Sequence, residues 1–422
     1  MSEWEEYQLD EVIERFIDYR GKTPNKVTSG IPLITAKVIK DGTILPPDEF
    51  IEPDEYLSWM TRGLPKINDV LLTTEAPLGE VALVQNENIA LAQRIILLRG
   101  KSDFVDNRFL FYSLQTGLMQ HRLSARASGS TVQGIKSAEL KKVLIPLPDV
   151  KIQKEIVLTL SCLDRKIENL RKQNETLEAI AQTLFKHWFV DFEFSNEDGK
   201  PYKSSGGEMV RSELGEIPAG WCVAPFETTF LIPLRNGLTR PRSVRGEGFY
   251  MVNMGELFAN KRIGDLEMDR VQLSISECEK SLLEVGDILF ARQSLVREGA
   301  GQCSIITDAS EPRTFEGHLI RCRIDRRKAN PFYFFYHFWS FSGSFQMRSL
   351  VEQVAAAGIR GSELAKLEML MPPVEFQDKF FAVIEPLEKS IALNFRRIRT
   401  LTKTRDVLLP KLMSGKLRIT AS

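Results

Sequence analysis

The chain has 422 residues, 43% of them hydrophobic, with 56 basic and 56 acidic side chains and a formal net charge of zero. That length and apolar content can fill two cores, while zero net charge argues against a freestanding nucleic-acid binder, because phosphate neutralisation calls for a basic excess. No apolar run reaches the ~18 residues of a membrane span, and five scattered cysteines without a CxxC pair fit reduced thiols in the cytoplasm, not a disulfide framework or a zinc site.

The opening, MSEWEEYQLDEV, is acidic and lacks a signal-peptide pattern. A polar loop, Arg20-Gly21-Lys22-Thr23-Pro24, then precedes strand-like runs at 31–34, 70–73, 81–84 and 95–98. Each run is short, apolar and bounded by Gly, Asp, Pro or Asn. Lys37 follows the first run, Thr74 and Glu75 follow the second, and Arg94 precedes the last. The spacing of Phe109, Phe111, Tyr112 and Leu118 predicts a helix over 107–120. A second polar loop carries Arg126, Ser128, Gly129, Ser130, Thr131, Gln133 and Lys136. The run Val143-Leu144-Ile145 ends at Pro148.

Near Asp149 the period changes to that of a long helix. Ile156, Leu160, Leu163, Ile167, Leu170, Leu177, Ala181 and Leu184 recur in steps of four and three, with Asn174 filling the one gap. That is a heptad seam over roughly four heptads. A stretch at 191–218, rich in Gly, Ser, Asp and Glu, reads as a surface linker.

The chain then begins again. VQGIKSAELKKVLIPLP at 132–148 returns as AAGIRGSELAKLEMLMP at 356–372, and the difference is 224 residues at every matched pair, as for Pro148 and Pro372 or Gln153 and Gln377. Phe109-Leu110-Phe111-Tyr112 falls on Tyr333-Phe334-Phe335-Tyr336, and Arg94-Ile95-Ile96 on His318-Leu319-Ile320. Nearer the start of each copy the offset drifts to about 216–218, which sets Gly21-Lys22-Thr23 on Gly237-Leu238-Thr239. Strand runs at 249–252, 287–290 and 319–322 and a helix over 331–345 are expected as twins of the first set. A second long helix follows from near Glu375, with the seam Phe380, Ile384, Leu387, Ile391, Ile398, Leu401 and Leu408, in which Asn394 and Arg405 also lie. Pro386 is expected to kink it.

The chain order is therefore domain, helix, domain, helix, over 1–148, 149–190, a linker at 191–218, 219–373 and 374–422. Two amphipathic helices on separate cores would show the same stripes, but two matched seams in one chain favour mutual pairing. Antiparallel pairing is favoured over parallel, which would require a long return before the second domain. A polar seam residue such as Asn174 or Asn394 costs stability and fixes register. Each domain is mixed α and β, and strand order is not readable.

Catalytic motifs are missing. There is no GxxxxGK[ST] loop, no GxGxxG and no HExxH, and His121, His187, His318 and His337 show no ligand spacing. Glu139-Leu140-Lys141 resembles half of a nuclease motif, but its twin Glu363-Leu364-Ala365 lacks the lysine, so Glu139 is expected to cap or pair locally.

Recurring polar loops are the more useful signal. Candidate DNA-contacting residues are Arg20, Lys22, Thr23, Lys37, Thr74, Arg94, Ser130, Thr131, Gln133 and Lys136 in the first copy. In the second they are Arg235, Asn236, Thr239, Arg240, Arg292, Gln293, His318 and Arg360. Such side chains hold phosphates or read base edges. Basic loops are also ordinary solvated surface; recurrence at equivalent places with differing residues is what two readers of two sequences should look like.

Local signatures add to this. They are Ser212-Glu-Leu-Gly-Glu-Ile-Pro-Ala-Gly-Trp221, Trp188-Phe-Val-Asp-Phe192, Gly129-Ser-Thr-Val-Gln-Gly-Ile135, Pro146-Leu-Pro148 with Gln153, and Leu408-Leu-Pro-Lys-Leu-Met-Ser-Gly-Lys-Leu417. With the duplicated plan, the chain resembles the specificity subunits of type I restriction–modification enzymes over essentially its whole length. It departs from them at Val354-Ala-Ala-Ala-Gly-Ile359, where Gly-Ser-Thr is usual.

The resemblance implies two similar α/β target recognition domains separated by an antiparallel coiled coil, with a pseudo-two-fold internal repeat. It implies a non-catalytic, cytoplasmic chain in which each half reads one part of a bipartite site on double-stranded DNA. The helices would set the unread spacer and dock two methyltransferase subunits and, through that complex, the restriction motor subunits. This chain would bind no cofactor; S-adenosylmethionine would sit in the methyltransferase. Two other classes remain open at this point, an enzyme with duplicated domains and a protein–protein scaffold that never touches DNA.

Overall fold

The computed structural model describes residues 4–21, 23–129, 132–294, 299–351 and 357–419. By contact density the chain divides into one unit of residues 1–169 with 398–422 and another of 170–397. Both combine α-helices with β-sheet.

The first unit is organised by a four-stranded antiparallel sheet in the order Ile13–Asp18, Ile95–Gly100, Val70–Thr74, Leu78–Leu83. Successive residues of a strand point to opposite faces. Val70, Leu72, Ile96 and Leu98 enter a core with the helices, whereas Leu71, Ile95 and Leu97 enter another with Leu33, Ile34 and Ile51. Both faces are covered, which is why these strands read as unbroken apolar runs.

The second unit holds a five-stranded sheet in the order Phe230–Asn236, Leu319–Ile324, Ile288–Ala291, Cys303–Ile306, Arg262–Ile263. Its pairs are antiparallel except the last. Again the faces alternate: Ile288, Phe290, Ile320 and Cys322 lie in one core, and Leu289, Ala291 and Leu319 in another.

Where one helix is expected over 107–120, there are two, Asn107–Leu114 and Gly117–Ala125. Thr116 breaks them: its side chain caps the second helix by accepting from Met119 N at 3.4 Å. The helix expected over 331–345 is likewise two, Pro331–Trp339 and Phe341–Leu350, with Ser340 Oγ accepting from Gly343 N at 3.1 Å. A short hydroxyl side chain favours capping over continuing a helix, and apolar spacing alone does not register that.

The long helices run Val150–Phe189 and Val374–Met413. Each is stitched to its own unit by a buried glutamine. Gln153 Oε1 accepts from Asp106 N at 2.9 Å while Nε2 donates to Pro148 O and Phe104 O, both at 2.8 Å. Gln377 Oε1 accepts from Asn330 N at 2.9 Å and Nε2 donates to Pro372 O at 2.8 Å. The second helix is continuous through Pro386.

The seam residues face inward. Leu160, Ile167, Leu170, Asn174, Ile384, Ile391 and Asn394 are buried; Leu163, Leu177, Leu387, Ile398 and Leu401 are half-buried. In the second unit Asn394 Nδ2 donates to Asn174 Oδ1 at 2.9 Å, and Phe185 meets Phe380 with ring centroids 5.7 Å apart. Rising numbers on one segment meet falling numbers on the other, so the two segments there run in opposite directions. In the first unit Ile156, Val157 and Leu160 share a core with Leu412 and Met413.

Residues 191–218, expected as a surface linker, are mostly exposed but carry secondary structure and buried anchors. Met209–Ser212 and Gly215–Pro218 form an antiparallel hairpin, and Phe192, Phe194 and Ile217 are buried. Phe194 stacks on Tyr202 at 4.7 Å and on Trp221 at 5.3 Å. A few aromatic anchors outweigh a polar average, because burying each is worth ~1.5–3 kcal/mol.

Candidate nucleic-acid interface

In the first unit three polar segments meet at one end of the central strand pair. Thr74 N donates to Arg94 O at 2.9 Å, and Ile135 N donates to Thr74 O at 2.9 Å, joining the 128–136 loop to the sheet. Arg20 Nη2 donates to Ile135 O at 2.8 Å, holding the 20–21 turn to that loop. Arg94 Nε lies 2.9 Å from Glu75 Oε1. Gln93 Nε2 reaches Thr23 Oγ1 at 3.5 Å. Gly134 keeps this approach close: a Cβ there would press within 3.1 Å of Glu75 Cβ.

The second unit repeats the arrangement with other residues. Arg292 N donates to His318 O at 2.8 Å, and Ile359 N donates to Arg292 O at 2.9 Å. Gln293 pairs with Gly358 across two short strands. His318 Nδ1–H donates to Gln293 Oε1 at 3.1 Å. Gly237 N donates to Leu319 O at 3.2 Å, bringing the 236–239 turn against the same strand. A Cβ on Gly237 would stand 2.1 Å from Phe315 O, so no other residue fits this approach.

The sequence candidates thus sort themselves. Arg20, Thr23, Arg94, Gln133 and Lys136 lie on the first set of segments, although Lys136 is also the residue preceding the short helix Ser137–Lys141. Arg235, Asn236, Thr239, Arg292, Gln293, His318 and Arg360 lie on the second, with Arg360 preceding Gly361–Ala365. Lys22, Ser130 and Thr131 fall outside the described residues, as do Gln353, Ala355 and Ala356.

Three candidates are buried or already paired. The Thr74 side chain is 1% exposed, so its contribution is the main chain and not a contact with a ligand. Lys37 is engaged elsewhere, 3.0 Å from Asp48 and 2.9 Å from Glu49, which hold its ammonium above the usual lysine range. Arg240 sits on the second set but is paired with Glu277 at 2.5 Å. The Ser274 backbone N–H, followed by Arg240 and the Ser274 hydroxyl, holds the Glu277 carboxyl down to about 2.

Glu75 and Gln93, absent from the sequence candidates, lie on the same segments beside Arg94 and Thr23. The signal for both is their place directly beyond the ends of adjacent strands. Glu139, half of the nuclease-like motif, is held below the usual carboxylate range by Lys142 at 2.7 Å and Arg126 at 3.1 Å. His337 is buried against Gln346, 2.7 Å away, and burial pushes it down to about 4. Among the described residues no group of three or more His, Cys, Asp and Glu could hold a metal ion, and no helix is long and apolar enough to cross a membrane.

Each of the two mixed α/β units gathers polar loop segments at one end of its sheet. A family model described as the type I restriction modification DNA specificity domain matches residues 1–179. The chain is 30% identical over 365 residues to the type I restriction enzyme MjaIX specificity subunit of Methanocaldococcus jannaschii, a match covering 85% of this chain and 79% of that protein. It is 22% identical over 426 residues to the MjaVIII specificity subunit of the same organism, covering 99% and 94%. The crystal structure of a type I restriction–modification system S subunit from M. genitalium superposes with a TM-score of 0.58 at 15% identity, over 100% of this chain and 97% of that one, which shows a common fold. The chain belongs to the specificity subunits of type I restriction enzymes.

Proposed function

We propose that this chain is the non-catalytic sequence reader of a type I restriction–modification complex, with one part of a bipartite site on double-stranded DNA assigned to each unit. Residues 1–148 and 219–373 are the two target recognition domains. The helices at 149–190 and 374–422 pair as an antiparallel coiled coil that sets the unread spacer and docks two methyltransferase subunits, through which the motor subunits join. S-adenosylmethionine belongs to the methyltransferase, so this chain contributes recognition alone.

The observation that carries this reading is the recurrence of one backbone scaffold with different side chains. The hydrogen bonds joining Thr74, Arg94 and Ile135 recur at Arg292, His318 and Ile359. Arg94 and Glu75 occupy the places that His318 and Gln293 occupy in the other unit. A shared frame holding divergent groups suits two half-sites of different sequence, since base edges are read by side-chain donors and acceptors. Partner subunits can supply phosphate contacts, which accommodates the zero net charge.

The test replaces residues 1–148 with those of a homologue of different specificity in cells carrying the complete system, followed by sequencing of methylated adenines. One half-site should change and the other stay as it was. An unchanged motif would favour a scaffold without direct readout; a change in both half-sites would refute the assignment of one unit to each.

A further inference from the structure

At equivalent sheet ends the two units present pairs of unlike chemistry, Glu75 with Arg94 and Gln293 with His318. We propose that Arg94, steadied by Glu75, reads a guanine in the half-site of the first unit, and that Gln293, oriented by His318, reads an adenine in the half-site of the second. This rests on the assignment of one half-site to each unit.

Arg94 follows the last turn before strand Ile95–Gly100, and Glu75 follows Val70–Thr74, its neighbour in the sheet. Their side chains are 54% and 39% exposed. An ion pair so open to water adds only ~0–1 kcal/mol to stability, so its main consequence is orientation. Glu75 meets the guanidinium at Nε. Among the described residues no protein group accepts a hydrogen bond from Nη1 or Nη2. Those two nitrogens form the fork that matches guanine O6 and N7. A phosphate contact would suit an isolated cation, whereas a carboxylate 2.9 Å from the guanidinium repels a phosphate. A paired, near-neutral arginine is therefore better matched to a base edge than to the backbone.

The twin makes the complementary case. His318 and Gln293 are both exposed, and the Nδ1–H of His318 occupies one lone pair of Gln293 Oε1 at 3.1 Å. That bond fixes which way the amide faces. The second lone pair of Oε1 and the Nε2 hydrogens remain for a partner that offers a donor beside an acceptor, which is adenine at N6 and N7. A neutral amide cannot neutralise a phosphate. The same scaffold position thus carries a donor–donor fork in one unit and a donor–acceptor pair in the other.

The experiment uses the complete system, with Arg94→Ala and Gln293→Ala introduced separately. Methylated motifs are read in cells, and binding of the assembled methyltransferase complex is measured on duplexes differing at one base pair. Arg94→Ala should make one G·C position of one half-site degenerate. Affinity for the guanine duplex should fall roughly 5- to 150-fold, with the slope against salt concentration unchanged. Gln293→Ala should do the same at one A·T position of the other half-site. Arg94→Lys, which keeps charge and bulk but loses the fork, should lose the guanine preference as the alanine variant does. A uniform loss over all duplexes with a shallower salt slope would assign Arg94 to phosphate and overturn the proposal, as would an unaltered motif. Degeneracy in both half-sites from a single substitution would instead overturn the assignment of units beneath it.

Discussion

The two units fasten a globular α/β body to a long helix in related ways but place the cation differently. In the first, Tyr112 donates to Asp164 Oδ2 at 2.5 Å, and Arg405 of the second long helix donates to Asp164 Oδ1 at 3.0 Å. In the second, Tyr336 donates to Glu388, and the cation is Arg262, on the strand Arg262–Ile263 of the domain itself. Arg262 grips Glu388 through Nε at 2.6 Å and Nη2 at 2.7 Å and also reaches Glu178 at 3.1 Å. The 224-residue offset sets Tyr112 on Tyr336 and Asp164 on Glu388, but it sets Arg405 on Ala181. A buried methyl group cannot answer a carboxylate, so the domain supplies the charge from its own sheet.

The difference in burial decides what each cluster contributes. Arg262 and Glu388 are 5% and 7% exposed, whereas Arg405 and Asp164 are 29% and 32% exposed. Burial alone would lower Arg262, but the Glu388 carboxylate outweighs it and holds the guanidinium charged. Removing one partner of a buried pair leaves the other desolvated and unanswered, which costs ~3–5 kcal/mol. Arg262→Met should therefore shift the urea unfolding of the second unit by an amount of that order, and Arg262→Met with Glu388→Leu should recover most of it. A loss below ~1 kcal/mol for the single variant would show that water reaches the cluster and would erase the contrast between the units.

The first unit supplies the smaller, screened counterpart. Arg405→Ala should cost less than ~1 kcal/mol, and that cost should shrink further between low and high salt, since partly exposed pairs are screened within a Debye length of ~10 Å at 0.1 M. The penalty for Arg262→Met should hardly respond to salt. Equal salt dependence for the two variants would break the distinction.

Much of the frame could be read in advance because it follows from periodicity. Unbroken apolar runs such as 70–73 and 95–98 mark strands buried on both faces, and heptad steps from Ile156 to Leu184 mark the long helix. What could not be read depends on single side chains working against the average. Thr116 and Ser340 split helices by capping, and Phe192 and Phe194 anchor a stretch whose composition looks like a linker. Of the candidate site, recurrence in the sequence picks out Arg20, Arg94, Gln293 and His318, which the fold brings to the loop segments at one sheet end of each unit. A place at a strand end does not reveal that Thr74 is buried, with its N and O already bonded to Arg94 and Ile135. Glu388 was missed because a carboxylate beside a heptad seam looks solvated until its arginine, 126 residues away in sequence, is brought to it.

The seam itself holds the last contrast. Asn174 and Asn394 are 8% and 6% exposed and bonded to each other, yet the residues at their repeat positions are Ile398 and Leu170. The polar pair therefore belongs to one place in the helices and has no copy. Asn174 Nδ2 finds no acceptor among the described residues, so the pair is incompletely satisfied and carries a desolvation cost. A buried amide pair of this kind rejects any slip of one helix along the other, because a slipped register leaves both amides facing hydrocarbon. Replacing both with leucine should leave the protein equally stable or up to ~1 kcal/mol more so, since exchanging both partners for apolar groups leaves no orphan. The same change should remove the register penalty. In cells carrying the complete system, the Asn174→Leu, Asn394→Leu chain should methylate sites whose spacer differs from that of the wild type while both half-sites keep their sequence. If the double variant kept a single spacer length, the surrounding leucines and isoleucines alone would fix the register, and the second unit would owe nothing to the pair that sets it apart.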